Sequence, residues 1–439
     1  MIAHVDADAF FASVLQRKDP RLKGKALLAL GMGGGCVIAA SYEAKAKGVK
    51  TGMPLKEAML LAPEALRVNS DFRETALASR EIESILQKTC PVVEQMSVDE
   101  WYLDLETLVG GVPEDLQGWG ERLRIEILRR TALSVSVGVG PSKLLAKMAG
   151  EYRKPGGVTV IDGAAGRGNA RDGRDVRFAR LYNDGMPIKT FLMDRPAAAI
   201  PGIGRKRVQH TDAHGWVTAW DIASAPVEEL IRLFGRPGQD LQRELLGEPV
   251  EAVSGEDVPP KSISRCRSFR RTADTATLWG SVLAHLSYTV LKMRRHGLGC
   301  RGVTVWLRDA EYHHQGTSLI LPEAMDTEER MTPFVRRCFT DVLRPKTAYT
   351  QTGLALFHLS PSAGTQYSLF RDPADTDRGE KVQESLDRIR ERYGKWSIAR
   401  GPIIGVEKQG KRGLPFPATE QELDPTMKRA RQHAAWHGG

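Results

Sequence analysis

Apolar and polar positions follow two rhythms along the first 160 residues. Ile2–Ala7 is a short, mostly apolar run of strand length, and Phe10–Arg17 follows with apolar side chains at helical spacing. The glycine-rich stretch Gly31–Gly35 reads as a loop, and helical segments are predicted near Tyr42–Lys47 and Leu55–Leu61. Leu116, Trp119, Leu123 and Ile127 then recur every three or four residues, as one face of an amphipathic helix requires. Val135, Val137 and Val139 alternate with Ser134, Ser136 and Gly138, the period of a strand. Strands and helices mixed in this way predict an α+β layer.

Beyond this block the rhythm breaks. Residues 163–184 are rich in Gly, Arg and Asp and carry no apolar period, which predicts a loop or insertion at a domain edge. A helical block follows over about 190–250, then a linker at Pro259–Lys261. Residues 261–360 read as a second α/β unit with strands near Val303–Leu307 and Leu354–Leu359. The remainder, 361–439, is a polar tail with one helical stretch at Lys381–Tyr393 and a basic end.

Composition narrows the class. A chain of 439 residues is long enough for about three domains, each with its own core, so a small disulfide-stapled scaffold is excluded. Lys+Arg 63 against Asp+Glu 54 leaves +9, a modest excess that suggests a polyanionic partner. The five cysteines are widely spaced with no C-x-x-C pair, which argues against a zinc site or a disulfide framework. No apolar run approaches the ~18 residues of a membrane span, and the opening MIAHVDADAFF lacks a signal peptide's basic start. The expectation is a soluble protein of a reducing cytosol with no membrane partner.

The chemistry starts at Asp6-Ala7-Asp8, in or just beyond the first strand, where residues two apart share a face. A second acidic cluster, Asp99-Glu100, sits in VEQMSVDEWYLDLE, whose apolar flanks predict a hairpin. An acidic pair alone at a strand end is commonly a solvated turn. Carboxylates converging from two strands, however, can hold a pair of Mg²⁺ ions, hard cations that take oxygen ligands. Two such ions about 3.5–4 Å apart suit phosphoryl transfer.

These residues carry a resemblance to the Y-family (translesion) DNA polymerases. VDADAFFASV resembles that family's first catalytic motif and MSVDEWYLDL its second. SYEAKAKGVKTGMP resembles the segment that grips the incoming triphosphate, and SVGVGPSKLLAKMAGEYRKPGG the strand and helix that end in a phosphate-contacting Lys-Pro. All four occur in the family's order. The Gly35–Ala39 and Glu43–Ala46 stretches, SRCRSF from Ser264 to Phe269, and Gly299-Cys300-Arg301 resemble the polymerase V catalytic subunit. Asp8 and Phe10-Phe11 are closer to the polymerase IV pattern.

The resemblance implies a right-handed α+β polymerase: a palm from 1–9 and 70–162, fingers from 10–69, a helical thumb from 163–255, an α/β little finger from 261–360, and a C-terminal tail from 361–439. It implies that Asp6 and Asp99 bridge two Mg²⁺ ions, that Glu100 holds the ion nearer the primer 3′-hydroxyl, and that the Ala7 carbonyl completes the coordination, with Asp8 behind them. Phe11 would be the steric gate against a ribose 2′-hydroxyl. Tyr42, Lys45 and Lys154 would hold the triphosphate. Many members carry Arg where Lys45 stands, and a lysine cannot clamp phosphate bidentately, so the grip here is expected to be looser.

Ile200–Lys206 reads as a helix-hairpin-helix turn or a plain turn. On the first reading Gly202, Gly204, Arg205 and Lys206 meet the DNA backbone. The window 261–308 is strongly basic, and Arg265, Arg267, Arg270 and Arg301 would track a duplex as a little finger does. Gln366-Tyr367-Ser368-Leu369-Phe370 resembles the bacterial sliding-clamp motif, with Gln366, Leu369 and Phe370 as anchors and Tyr367 in place of the usual Leu. The family reading implies error-prone translesion synthesis in a bacterial SOS response at the nucleoid, acting on primer-template DNA and deoxynucleoside triphosphates. The sliding clamp and polymerase V-type accessory subunits are its implied partners. The rivals are a catalytically silent clamp-bound repair scaffold and another palm-fold phosphotransferase such as a nucleotide cyclase.

Overall fold

A computed structural model describes residues 1–31, 34–162, 185–256, 258–362, 373–394 and 397–403. The chain divides into two compact units, Met1–Glu256 and Asp257–Gly439. Among the described residues no helix is long and apolar enough to cross a membrane.

The first unit runs β1 (Ile2–Ala7), α1 (Phe10–Lys18), β2 (Leu27–Leu30), β3 (Val37–Ala40), α2 (Tyr42–Lys45), α3 (Leu55–Leu61), β4 (Leu66–Asn69) and α4 (Phe72–Thr89). It continues through β5 (Val93–Gln95), β6 (Glu100–Asp104), α5 (Leu116–Thr131), β7 (Val135–Gly140), α6 (Lys143–Tyr152), β8 (Val158–Asp162) and β9 (Met186–Pro187). A helical block closes it: α7 (Ile188–Met193), α8 (Arg205–Ala213), α9 (Ala219–Ala223), α10 (Val227–Phe234) and α11 (Arg236–Leu245). The expected strands at Ile2–Ala7 and Val135–Val139, the hairpin of β5 and β6, and the 190–250 helices are all present.

The central sheet has the order β5-β6-β1-β7-β8-β9, with β1 antiparallel to both β6 and β7. A smaller sheet, β3-β2-β4, is built from 27–69. Every residue of β1 and β7 is buried, although β7 alternates Val with Ser and Gly. The valines pack with Trp101, Leu103, Ile82, Leu86 and Ile127 in one core. The small residues instead admit α6 against the other face: a Cβ on Gly138 would stand 2.0 Å from the Ala146 carbonyl oxygen and 2.1 Å from the Gly150 nitrogen. Alternation of large and small side chains thus marks a strand covered on both sides, with a helix backbone nearly touching one of them.

The second unit consists of β10 (Ser262–Thr272), α12 (Thr275–Arg295), β11 (Leu298–Asp309), β12 (His314–Met325), α13 (Glu328–Val342), β13 (Tyr349–Pro361) and α14 (Pro373–Tyr393). Its antiparallel sheet has the order β10-β13-β11-β12, and α12 and α13 supply the other half of the core. Residues 379–394 and 397–403 pack onto this unit. Arg390 of α14 pairs with Glu328, both almost fully buried, Gln383 accepts from the Glu328 backbone at 3.3 Å, and Ile403 enters the core. A charge pair removed from water this completely survives only when further hydrogen bonds satisfy it. Ser287 supplies one to Glu328 at 2.7 Å.

Two outcomes follow from this packing. Gly138→Ala forces a methyl into backbone atoms of α6 and is expected to cost about 1–3 kcal/mol in denaturant unfolding, whereas an unchanged midpoint would place α6 elsewhere. His285, buried in α12 with Nε2 at 2.9 Å from Thr352 Oγ1, is pushed down to about 3 by burial, with Arg265 adding to the effect. The unfolded state therefore binds the extra proton between about pH 6.5 and 3, so stability falls as pH drops through that window, by up to about 1.4 kcal/mol per pH unit. Denaturation of wild type and His285→Gln across pH 7 to 4 should show the steeper loss in wild type; parallel curves would contradict it.

Candidate active site

Antiparallel pairing sets Asp6 of β1 directly opposite Glu100 at the start of β6. Directly opposed residues on antiparallel strands share a face, and like charges there repel. Here the pair is also partly or largely buried. Oxygen atoms of Asp6 and Glu100 and a ring nitrogen of His4 lie within 4.8 Å of one another. Asp6 is pushed up to about 7 by burial, against the pull of Lys154.

The compensation comes from α6 and the loop after it. Lys154 donates to Asp6 Oδ1 at 2.6 Å and to Glu151 Oε1 at 2.5 Å. Lys147 hydrogen bonds Glu100. Burial opposes the Glu100 charge, yet the Lys147 bond and charge hold its carboxyl below the ordinary value. Lys154 is half-buried, and although burial opposes its charge, Asp6 and Glu151 hold the ammonium above its ordinary value.

Asp99 sits differently. Its carboxylate accepts from Ser97 Oγ at 2.5 Å and its carbonyl from the Ala7 nitrogen at 2.9 Å, which ties the hairpin turn to the end of β1. The close cluster among the described residues is therefore His4, Asp6 and Glu100, with Asp99 adjoining through the backbone.

Asp8 is 2% exposed and its oxygens are taken by Ser134 Oγ at 2.6 Å, Ser136 Oγ at 2.8 Å and the Gly156 nitrogen at 2.8 Å. Tyr42 OH donates to it at 3.4 Å. Saturated in this way, Asp8 joins β1, β7, α2 and the Lys154–Gly156 loop instead of offering a free ligand. Burial, with Asp8 adding to it, pushes the Tyr42 phenol well above its ordinary value, so it remains a donor. Lys45 lies over the Tyr42 ring, 4.5 Å from its centroid.

The turn from β1 into α1 passes through Ala9 at φ 46°, a left-handed conformation rare for alanine. Phe10 is thereby buried while Phe11 stays partly exposed, edge-on to Phe72 with ring centroids 5.9 Å apart.

The remaining expected residues are scattered over both units. Gly202 has φ +92° and Gly204 opens α8, where no atom would meet an added Cβ within 4 Å. Together with Arg205, Lys206, Arg207 and Gln209 they line an open depression. In the second unit Arg265 turns onto the helices, donating to the Ala284 carbonyl at 3.4 Å and lying 4.5 Å over the Tyr288 ring. Arg267 is half-buried, while Arg270 is exposed. Arg301 is exposed where the β11–β12 register shifts between Cys300 and Gly302. Gln366, Leu369 and Phe370 lie outside the described residues, as does the 163–184 insertion.

Two members of the cluster escaped the sequence reading. His4 shares Asp6's face by the strand period of two, a signal available in the sequence. Lys147 reaches Glu100 only because α6 lies on Gly138, and no short-range pattern announces that.

The donor set suits a hard divalent cation: two carboxylates brought face to face where two interior strands meet at their ends, with ammonium groups supplying the positive charge that the pair demands. Comparison with known proteins agrees with this fold. Residues 5–151 match the impB/mucB/samB family and residues 260–369 that family's C-terminal domain. The chain is 33% identical over 354 residues to a DNA polymerase IV of Methanoculleus marisnigri, covering 79% of this chain and 89% of that one. It is 33% identical over 408 residues to a DNA polymerase IV of Moorella thermoacetica, covering 90% and 94%. Both relatives bear the polymerase IV name, the branch that Asp8 and Phe10-Phe11 resemble; the polymerase V leaning expected from Gly35–Ala39 and Ser264–Phe269 draws nothing from them.

Among solved structures, a Y-family polymerase chimera of Dbh and Dpo4 superposes with TM-score 0.64 at 24% identity, covering 81% of this chain and 98% of the other. DinB from Sulfolobus solfataricus gives 0.54 at 24% identity, with the same coverage. These carry the α+β fold with palm, thumb and little finger. The chain belongs to the Y family of translesion DNA polymerases, and it is a DNA-directed DNA polymerase.

Proposed function

We propose that this polymerase performs error-prone translesion synthesis by two-metal nucleotidyl transfer on primer-template DNA. The observation that carries the reading is the opposed Asp6–Glu100 pair, with Lys154 on Asp6 and Lys147 on Glu100. Asp6, Asp99, Glu100 and the Ala7 carbonyl would hold two Mg²⁺ ions. When bound, such ions lower the pKa of the attacking 3′-hydroxyl and neutralise charge on the phosphates.

The chain's own residues do the positioning. Lys154, set beside Asp6 by the Asp8-tied loop, meets the triphosphate with Tyr42 and Lys45; Lys154 exchanges a carboxylate partner, and Tyr42 its long bond to Asp8, for a phosphate oxygen. Phe11, held edge-on by Phe72, fills the space a 2′-hydroxyl would need and so selects deoxynucleotides. The palm, fingers, thumb and little finger would fall at 1–9 with 70–162, 10–69, 163–255 and 261–360. Backbone amides at the start of α8 and the side chains of Arg205, Lys206, Arg267, Arg270 and Arg301 suit the DNA phosphates, with Arg265 acting from the helix side. The segment Gln366–Phe370 is proposed as the sliding-clamp contact, with polymerase V-type accessory subunits as further partners.

Primer extension on undamaged and abasic templates tests the metal assignment. Asp99→Ala with Glu100→Ala is expected to lower the rate about 10³-fold or more while the protein stays folded. Extension unaffected by the double change would remove the carboxylates from the chemistry, and no extension by wild type with any divalent cation would favour a clamp-bound scaffold. Phe11→Ala should raise ribonucleotide incorporation relative to deoxynucleotide by about 10²-fold in single-turnover assays. An unchanged ratio would put the sugar discrimination elsewhere.

A further inference from the structure

His4 has no place in the chemistry described so far, yet it stands at its edge. Its side chain is fully buried on the Asp6 face of β1, opposite Tyr102 on β6 and Gly138 on β7. Its ring lies 4.9 Å from the Tyr102 ring, and the absence of side chains on Gly138 and Gly150 leaves it room: a Cβ on Gly150 would come within 3.0 Å of His4 Nδ1. Neither ring nitrogen has a hydrogen-bond partner. A buried donor without a partner costs about 1–3 kcal/mol, whereas an apolar ring of the same shape would fill this space without that cost.

The nearest anionic group is Glu100, with Oε1 3.9 Å from His4 Nε2, about 1 Å beyond an N–H···O bond. Lys147 occupies that same carboxylate from α6. Groups that ligate metals are commonly oriented by a second hydrogen bond from behind, and losing such a bond costs about 10–100-fold in metal affinity.

We propose that His4 is a positioning residue for Glu100, its Nε2–H fixing the carboxylate orientation that receives the divalent cation. The inference rests on the reading of Glu100 as a metal ligand. It assigns the proton to Nε2 and leaves Nδ1 facing the Gly150 backbone. His4 touches neither nucleotide nor cation; it acts through Glu100.

The test compares wild type, His4→Phe, His4→Gln and Glu100→Gln by two readouts. One is Mn²⁺ affinity of the protein without DNA, from the electron paramagnetic resonance of the free ion; the other is kcat and KM for deoxynucleotide in primer extension. His4→Phe, which keeps the ring volume, is expected to weaken Mn²⁺ binding about 10-fold and lower kcat with KM for nucleotide unchanged. His4→Gln, whose amide nitrogen reaches the Nε2 position, should restore most of both. Wild-type Mn²⁺ affinity and kcat in a folded His4→Phe would overturn the role of His4 alone. Mn²⁺ affinity unchanged in Glu100→Gln would instead remove the metal reading, and this inference with it. If His4→Phe does not fold, His4→Gln is set against His4→Asn, which is too short to reach Glu100: tighter Mn²⁺ binding by Gln supports the proposal, and equal affinities contradict it.

Discussion

Two carboxylates face each other across neighbouring strands, on a surface that a helix then covers. Pairing β1 with β6 in the observed register leaves no freedom in the matter, because Asp6 opposite Glu100 follows from Ala3 opposite Leu103 and Val5 opposite Trp101 in the core. A slip of one residue would turn the apolar set outward. The hydrophobic core of the sheet thus enforces a like-charge contact that would otherwise open, and much of the surrounding structure answers that cost.

The answer is built on α6. Its backbone rests on Gly138, which brings Lys147 over Glu100, and its end leads into the loop that sets Lys154 on Asp6. Asp8 fixes that loop through the Gly156 nitrogen and at the same time receives Tyr42 from α2. Glu244 of α11 in turn accepts from the Leu144 nitrogen at 2.9 Å, so the helical block holds the first turn of α6. Residues separated by more than a hundred positions are coupled to one pair of charges. The cations that balance the pair are ammonium groups of α6 and the loop after it, outside the sheet, so a divalent ion can take their place without disturbing the strands.

Much of this was legible in the sequence, for identifiable reasons. Asp6 and Glu100 stand on short strands whose apolar neighbours define the register, and the strands at Ile2–Ala7 and Val135–Val139 have the right period. The edge strands β10 and β12 were not legible: alternating Ser and Arg in SISRCRSFRR reads equally as a solvated basic surface, and Arg265 in fact turns onto α12. Nor was the docking of α14, since its polar face is attached through Glu328, whose burial depends on where α12 and α13 lie. The resemblance puts Asp8 behind the ligands without saying what holds it there, and only the folded chain supplies Ser134, Ser136 and the Gly156 nitrogen that take up its oxygens.

On the proposed reading, the opposed carboxylates are maintained for a divalent cation rather than for the fold. The direct measurement is the thermal midpoint of the first unit's transition as Mn²⁺ is added without DNA, in wild type and in Asp6→Asn. A cation that binds only the native state raises the midpoint with concentration. The midpoint is expected to rise in wild type and not in Asp6→Asn; equal rises in both proteins, or none in either, would rule out a cation held by Asp6.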